Sequence, residues 1–307
     1  IVKINSLLYK QKFRKDPNPF LSIPFIELNS HKVDKVVYLV NEGKSSLGLI
    51  GGIKDGCLLS PFSAPIGGFH YKNEKILYSD IYEFINNLKN YLLHNRIKQI
   101  QLTLSPDIYS QSINSKLVNA LVRNDFKMLT PDITNILDLR SFSGDFSDPK
   151  SRKNYKRAGK NHLRFSEAKT YEEKKRVYNT IYENRKWLNR PMSLGFEEIL
   201  KVEEIWPVDY FKVVNEGSEE LAAAILYRGN AKIVQTVWWG DNPVGRSMRV
   251  MDFLAKKLWD HYKDSGYRYV DLGISTEKGI PNNGLLRFKE SVECQSQLRF
   301  SFIWESK

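Results

Sequence analysis

Short apolar runs bounded by glycine and charged residues occupy Val36–Val40, Leu47–Gly52 and Cys57–Leu59. Runs of that length, rich in β-branched residues and separated by turn residues, predict a meander of adjacent strands. The rhythm then changes. Ile81, Phe84, Ile85, Leu88, Tyr91 and Leu92 recur at steps of three and four, the spacing of one buried helix face, and Ser79 or Asp80 can cap its start. A strand at Gln99–Leu104, a helix carrying Ile113, Leu117, Leu121 and Val122, and a strand at Ile133–Leu139 follow.

The same order returns in the second half. Leu221–Tyr227 and Lys232–Trp239 read as strands joined by the turn Arg228-Gly229-Asn230, which suits a hairpin. A helix is predicted from about Gly245 to Ser265, with Met251, Leu254, Ala255, Leu258, Trp259 and Tyr262 on its inner face and Lys256, Lys257 and Asp260 outside. Gly266 stops it, Tyr267–Leu272 is a strand, and a last strand at Leu298–Trp304 completes the repeat. At 307 residues the chain exceeds one ordinary core. Two α/β (α+β) domains are therefore expected, residues 1–145 and 146–307, with the boundary in the polar segment Ser141–Asp148.

Asp148-Pro149 can open a helix as cap and first residue. In Ser151–Gly159 the side chains of Arg152, Lys153, Lys156, Arg157 and the following Lys160 fall within one arc, opposite Tyr155 and Ala158. Such a face is either merely solvated or a site for an anion. Thr170 and Glu173 form a capping box for the next helix.

One residue breaks its pattern. In Asn282–Glu293, Leu285, Leu286, Phe288 and Val292 share an apolar arc at about 100° per residue, and Lys289 falls inside it. A lysine there either extends its ammonium to the edge or holds a cation where chemistry needs one. Asp271, ending a strand, is a candidate base or positioning carboxylate. Trp239 ends another strand, where it can pack in the core or line a ligand cleft.

Composition narrows the partners. Lysine and arginine number 47 against 35 acidic residues, a net charge of +12, which favours anionic partners over cationic ones. The two cysteines, Cys57 and Cys294, stand far apart, and His31, His70, His94, His162 and His261 show no ligand spacing, so no metal site is expected. No apolar run approaches the ~20 residues of a membrane span. A reducing cytoplasm is the expected compartment, while Ile1 in place of Met leaves a removed leader open.

Tyr269–Gly273, a loop, and Asn283–Lys289 together resemble the end of the Fem-type aminoacyltransferases, bacterial enzymes built from tandem copies of the GNAT acyltransferase fold. Arg152–Ala158 looks like the basic helix that opens their second copy, Ser60-Pro61 through Gly67-Gly68 like a loop of their first, and Arg185 sits where they carry an arginine after a helix. The resemblance implies two domains, each a mixed and mostly antiparallel sheet flanked by helices. It implies N-acyl transfer from aminoacyl-tRNA or an acyl-CoA, with no permanently bound cofactor, to a primary amine of a cell-wall peptide precursor or an amino sugar, on an anionic or carrier-linked acceptor. The substrates would meet between the domains.

Phe288 and Lys289 match the family's Phe-Lys step, which would place Lys289 at a cavity, stabilising the tetrahedral oxyanion. Arg152, Lys153, Lys156, Arg157, Arg185, Gly67, Gly68 and Trp239 would bind substrate. Where GNAT enzymes carry a Gly-rich pyrophosphate turn, this chain has Asn242-Pro243-Val244-Gly245-Arg246-Ser247-Met248. Gly245, Arg246 and Ser247 are the candidate contacts, and the single glycine predicts weak coenzyme A binding. The rival reading is a non-catalytic nucleic-acid-binding protein on the same fold, using the same basic helix.

Overall fold

The computed structural model describes residues 1–43, 46–110 and 112–306. They form two compact units, Ile1–Ile133 with Lys278–Ile280 and Gln297–Lys307, and Thr134–Glu277 with Pro281–Ser296.

In the first unit the predicted meander forms, with Lys35–Val40, Leu47–Lys54 and Cys57–Ser60 pairing antiparallel in chain order. The helix Tyr78–His94 then crosses over, so that Gln99–Thr103 pairs parallel to Cys57–Ser60. Ile81, Phe84, Ile85, Leu88 and Leu92 are fully buried beneath that helix, whereas Tyr91 is half-buried. The helix begins earlier than the capping residues suggested: Leu77 precedes it and no side chain caps it. In the helix Ile113–Arg123 the predicted Ile113, Leu117 and Leu121 are buried and Ala120 joins them, while Val122 is exposed.

The second unit repeats this plan. Val208–Val214, Glu220–Tyr227 and Ile233–Asp241 pair antiparallel, and Tyr269–Ile274 returns parallel to Ile233–Asp241 after a helical crossover. The predicted single helix there is two, Pro243–Ser247 and Val250–Asp264, divided at Arg249, whose φ is +62°. Phe253, Leu254, Leu258, Trp259 and Tyr262 bury the inner face of the longer one. Lys256, expected outside, is buried because the basic helix Pro149–Gly159 covers that side, and its ammonium pairs with Asp260.

Each sheet takes in a strand from the end of the other half of the sequence. Ser301–Glu305 pairs with Gln99–Thr103 in the first sheet and buries Phe302 and Trp304 there. Asp132–Asp138 pairs with Tyr269–Ile274 in the second. The single strand predicted at Leu298–Trp304 is accordingly two, broken at Phe300, and its first part, Gln295–Arg299, lies in the second sheet. Periodicity fixes which face of a strand is buried but not which strand lies beside it.

Candidate active site

The parallel pair of the second unit is a fork. Ile233, Val234 and Gln235 lie opposite Tyr269, Val270 and Asp271, and no pairing follows. Both arms are irregular just beyond that point. On one, Trp238 faces Ile225 while Thr236 faces Leu226, so Val237 is a bulged extra residue. On the other, the register against Asp132–Asp138 shifts between Asp271 and Ile274, where Gly273 takes φ +67°.

Lys289 serves this second irregularity. Its helix, Asn283–Ser291, is capped by Asn282, whose side chain accepts from the Leu285 amide at 3.1 Å. Lys289 is the buried residue of that helix, only 2% exposed. Its ammonium donates to the carbonyls of Leu272, Gly273 and Ile274 at 2.8, 2.9 and 3.0 Å. All three donors of the ammonium are thus engaged by consecutive carbonyls. Burial lowers its pKa to about 8, against the opposing influence of Cys294 and Asp271. The lysine that breaks the apolar stripe therefore faces backbone at a strand irregularity, where the resemblance implied an open substrate cavity.

Asp271 is buried and accepts from the Gly273 amide at 2.8 Å, with the Gln235 side-chain amide 3.5 Å away. Phe288 turns from Lys289 to Trp239, ring centroids 5.6 Å apart, and Trp239 also meets Trp259 at 6.2 Å. Lys289, Asp271, Phe288 and Trp239 are therefore brought to one region. Sequence reasoning missed Gln235 and Thr236. Both are buried, and Gln235 Oε1 and Thr236 Oγ1 have no hydrogen-bond partner among the described residues. Polar residues in an otherwise apolar strand were the available signal.

The basic helix forms as predicted, with Asp148 accepting from Ser151 N at 2.7 Å and Pro149 in its first turn. Tyr155 stacks on Phe253 at 5.8 Å and Ala158 is buried, which turns Arg152, Lys153, Lys156, Arg157 and Lys160 outward along an open concavity of about 660 Å³. Arg152 donates to the Ser147 carbonyl at 3.0 Å. Lys153, Lys156, Arg157 and Lys160 have no acidic partner within 4.0 Å among the described residues.

The turn before Val250–Asp264 is closed on itself. Gly245 N–H donates to Asn242 Oδ1 at 2.7 Å, and a Cβ on Gly245 would stand 2.5 Å from the Leu221 carbonyl oxygen. Arg246 pairs with Asp241 at 2.7 Å, and the Ser247 hydroxyl donates to the Val244 carbonyl at 2.7 Å. Arg185 is half-buried, and burial, then the neighbouring Arg190, lowers its pKa. Gly67 and Gly68 belong to the first unit. Gly67 N–H donates to the Thr103 carbonyl at 2.9 Å and Gly68 N–H to Ser60 Oγ at 3.2 Å. The crevice beside their loop holds about 10 Å³, room for no more than a water. Among the described residues no three His, Cys, Asp or Glu side chains gather as a metal site, and no helix is long and apolar enough to cross a membrane.

No family model and no curated protein matches the sequence. Solved structures do. FemX superposes over 99% of this chain and 98% of its own with a TM-score of 0.68 at 10% identity. L-PGS from Bacillus licheniformis covers 98% of this chain and 91% of its own, TM-score 0.62, at 13% identity. A tandem GNAT protein from the clavulanic acid biosynthesis pathway covers 88% and 83%, TM-score 0.55, at 10% identity. With a parallel strand pair after a helical crossover in both sheets, these likenesses show that the chain has a tandem GNAT-like fold of the Fem type.

Proposed function

We propose that this chain is an N-acyltransferase acting at the fork of its second unit on a donor whose acyl group is carried by a polyanion, such as aminoacyl-tRNA. The observation that carries the reading is the buried, unpartnered Oε1 of Gln235, whose side-chain amide lies 3.5 Å from the Asp271 carboxylate, together with a second unpartnered oxygen, Thr236 Oγ1, on the next residue. Buried polar atoms are nearly always hydrogen-bonded, and an acceptor amine brings the N–H donors that these lack. The amine nitrogen attacks the acyl carbonyl carbon, the tetrahedral oxyanion collapses, and the carrier oxygen leaves with the proton the amine gives up. Lys289 holds the strand irregularity in place, and its buried charge favours the oxyanion.

The donor follows from where anions are welcome. The turn that would cradle the pyrophosphate of coenzyme A has its Gly245 amide and its Arg246 guanidinium occupied by Asn242 and Asp241. Four outward cations of the basic helix, by contrast, have no acidic partner among the described residues. A primary amine of a cell-wall peptide precursor or an amino sugar, itself anionic or carrier-linked, is the acceptor class, and the cytoplasm the compartment that supplies both.

A second reading, a non-catalytic anion-binding protein, is favoured by the full engagement of Lys289. Incubation with aminoacyl-tRNA or acetyl-CoA and a panel of amine acceptors, with mass detection of the amide, separates the two. Amide formed from the RNA-borne donor and lost in Gln235→Ala supports transfer. Binding of RNA without product from any donor supports the second reading.

A further inference from the structure

The helix Tyr171–Trp187 ends on an indole that is 64% exposed. Its environment is fixed. Asn184, one turn earlier, donates to the backbone carbonyl of Asp241 at 2.6 Å and to its carboxylate at 3.1 Å. The approach is close because Gly240 is a glycine: a Cβ there would stand 2.6 Å from the Asn184 side chain. The same Asp241 carboxylate takes the Arg246 guanidinium at 2.7 Å, and that guanidinium lies 4.2 Å from the centre of the Trp187 ring. Asn184, Asp241, Arg246 and Trp187 form one connected set, and the cation is oriented before any ligand arrives.

The residue stays 64% exposed although a guanidinium lies over its ring, so much of the indole is left to solvent. Leu188, the next residue, and Val244, two residues before Arg246, are also exposed apolar side chains. The two segments that meet here, 183–190 and 241–249, carry Arg185, Lys186, Arg190, Arg246 and Arg249 against Glu183 and Asp241, and Asp241 is already engaged. Asn189, at φ +55°, turns the chain back so that the Arg190 amide donates to the Arg185 carbonyl at 2.8 Å, bringing two like charges together. The ion pairs present among the described residues include none for Arg185 or Arg190.

A flat, open aromatic face within a cationic surround is suited to a planar base attached to a phosphate. We propose that Trp187, backed by Arg246, is a stacking platform for an unpaired nucleotide. The inference stands on these contacts and does not depend on acyl transfer. The nucleotide can come from a single-stranded RNA or as a free mononucleotide, and the two sources share the same chemistry.

The test is fluorescence anisotropy with a labelled, unstructured short RNA, competed by AMP, on the wild-type chain, on Trp187→Ala and Trp187→Phe, and on Arg152→Gln/Lys156→Gln/Arg157→Gln with and without Trp187→Ala. Loss of one base stack corresponds to roughly tenfold weaker binding. That loss is expected in Trp187→Ala, with most of the affinity kept in Trp187→Phe, and with the same ratio retained when the basic helix is neutralised. Direct AMP binding with the same Trp187 dependence assigns the site to a mononucleotide. Binding by RNA alone assigns it to a single strand. Equal affinity of the Ala variant and the wild type, or no binding of either probe by the wild type, overturns the proposal.

Discussion

The ammonium of Lys289 lies 2.9 Å from the carbonyl oxygen of Gly273, the left-handed residue in the strand that its helix covers. The contact ties the irregular end of Tyr269–Ile274 to the helix Asn283–Ser291, with Leu272 and Ile274 supplying the flanking bonds. Lys289→Met keeps the stem but leaves three carbonyls without this donor. It is expected to cost about 2–3 kcal/mol of stability near neutral pH in urea titrations, whereas an ammonium at an open cavity would be removed at little cost.

The same lysine sets a pH dependence. Its folded pKa, about 8, lies below the ordinary lysine value of 10.5. Between those values the unfolded chain holds the proton and the folded chain does not, so the unfolded state binds more protons and stability rises with pH. Below about pH 8 both states are charged and the contribution is flat. Relative to Lys289→Met, the wild type should therefore gain up to about 3 kcal/mol between pH 8 and pH 10.5. A difference that shrinks over that window would mean that the three carbonyls favour the ammonium by more than burial disfavours it.

Neutralising Arg152, Lys156 and Arg157 together to Gln tests the basic helix. Their side chains point outward and helix propensity barely changes, so the melting temperature should hold. RNA affinity should fall, and the slope of log K against log salt should decrease by about 2. An unchanged slope would show that this face is solvated only.

How much of this was legible in the sequence depends on how local the determinant is. The caps at Asp148 and Thr170 were readable because partner and cap lie three residues apart. The helical phase exposed Lys289 as an anomaly. What its ammonium meets was not readable, because three carbonyls around a left-handed glycine become available only once two strands have parted. The placement of Asp132–Asp138 and Ser301–Glu305 in the sheets was hidden for the same reason, as was the break at Arg249, where no glycine or asparagine marks the left-handed turn. Val208–Val214 escaped notice because its charged Asp209 and Lys212 interrupt the apolar run, although Asp209 is buried against Tyr262 and Arg228.

Acetyl-CoA should bind weakly, since the one amide at a glycine in the turn is capped by Asn242 and the arginine is paired. Isothermal titration is expected to show no micromolar affinity. Asn242→Ala removes the cap, at a cost of about 1 kcal/mol in stability, and frees the Gly245 amide. Micromolar binding by the wild type, lost in Arg246→Ala, would instead make coenzyme A the donor carrier.

Two glycines are expected to respond to alanine in opposite directions. Gly67 was a candidate for substrate contact, yet a Cβ there would stand 2.4 Å from Pro61 N and 2.6 Å from Ser60 C. Those are backbone atoms of a buried loop and cannot swing aside as a side chain end would. Gly67→Ala should therefore destabilise by about 2–3 kcal/mol, the cost of overpacking a filled site. Gly159, the last residue of the basic helix, has nothing within 4 Å of its Cβ position and no positive φ. Alanine there restricts the unfolded chain more than the folded one and should stabilise by about 0.5 kcal/mol. Urea midpoints of the two variants measured beside the wild type decide the matter. A neutral Gly67→Ala would mean that the loop Ser60–Gly68 yields readily, and would return Gly67 to the residues able to shape themselves around a substrate.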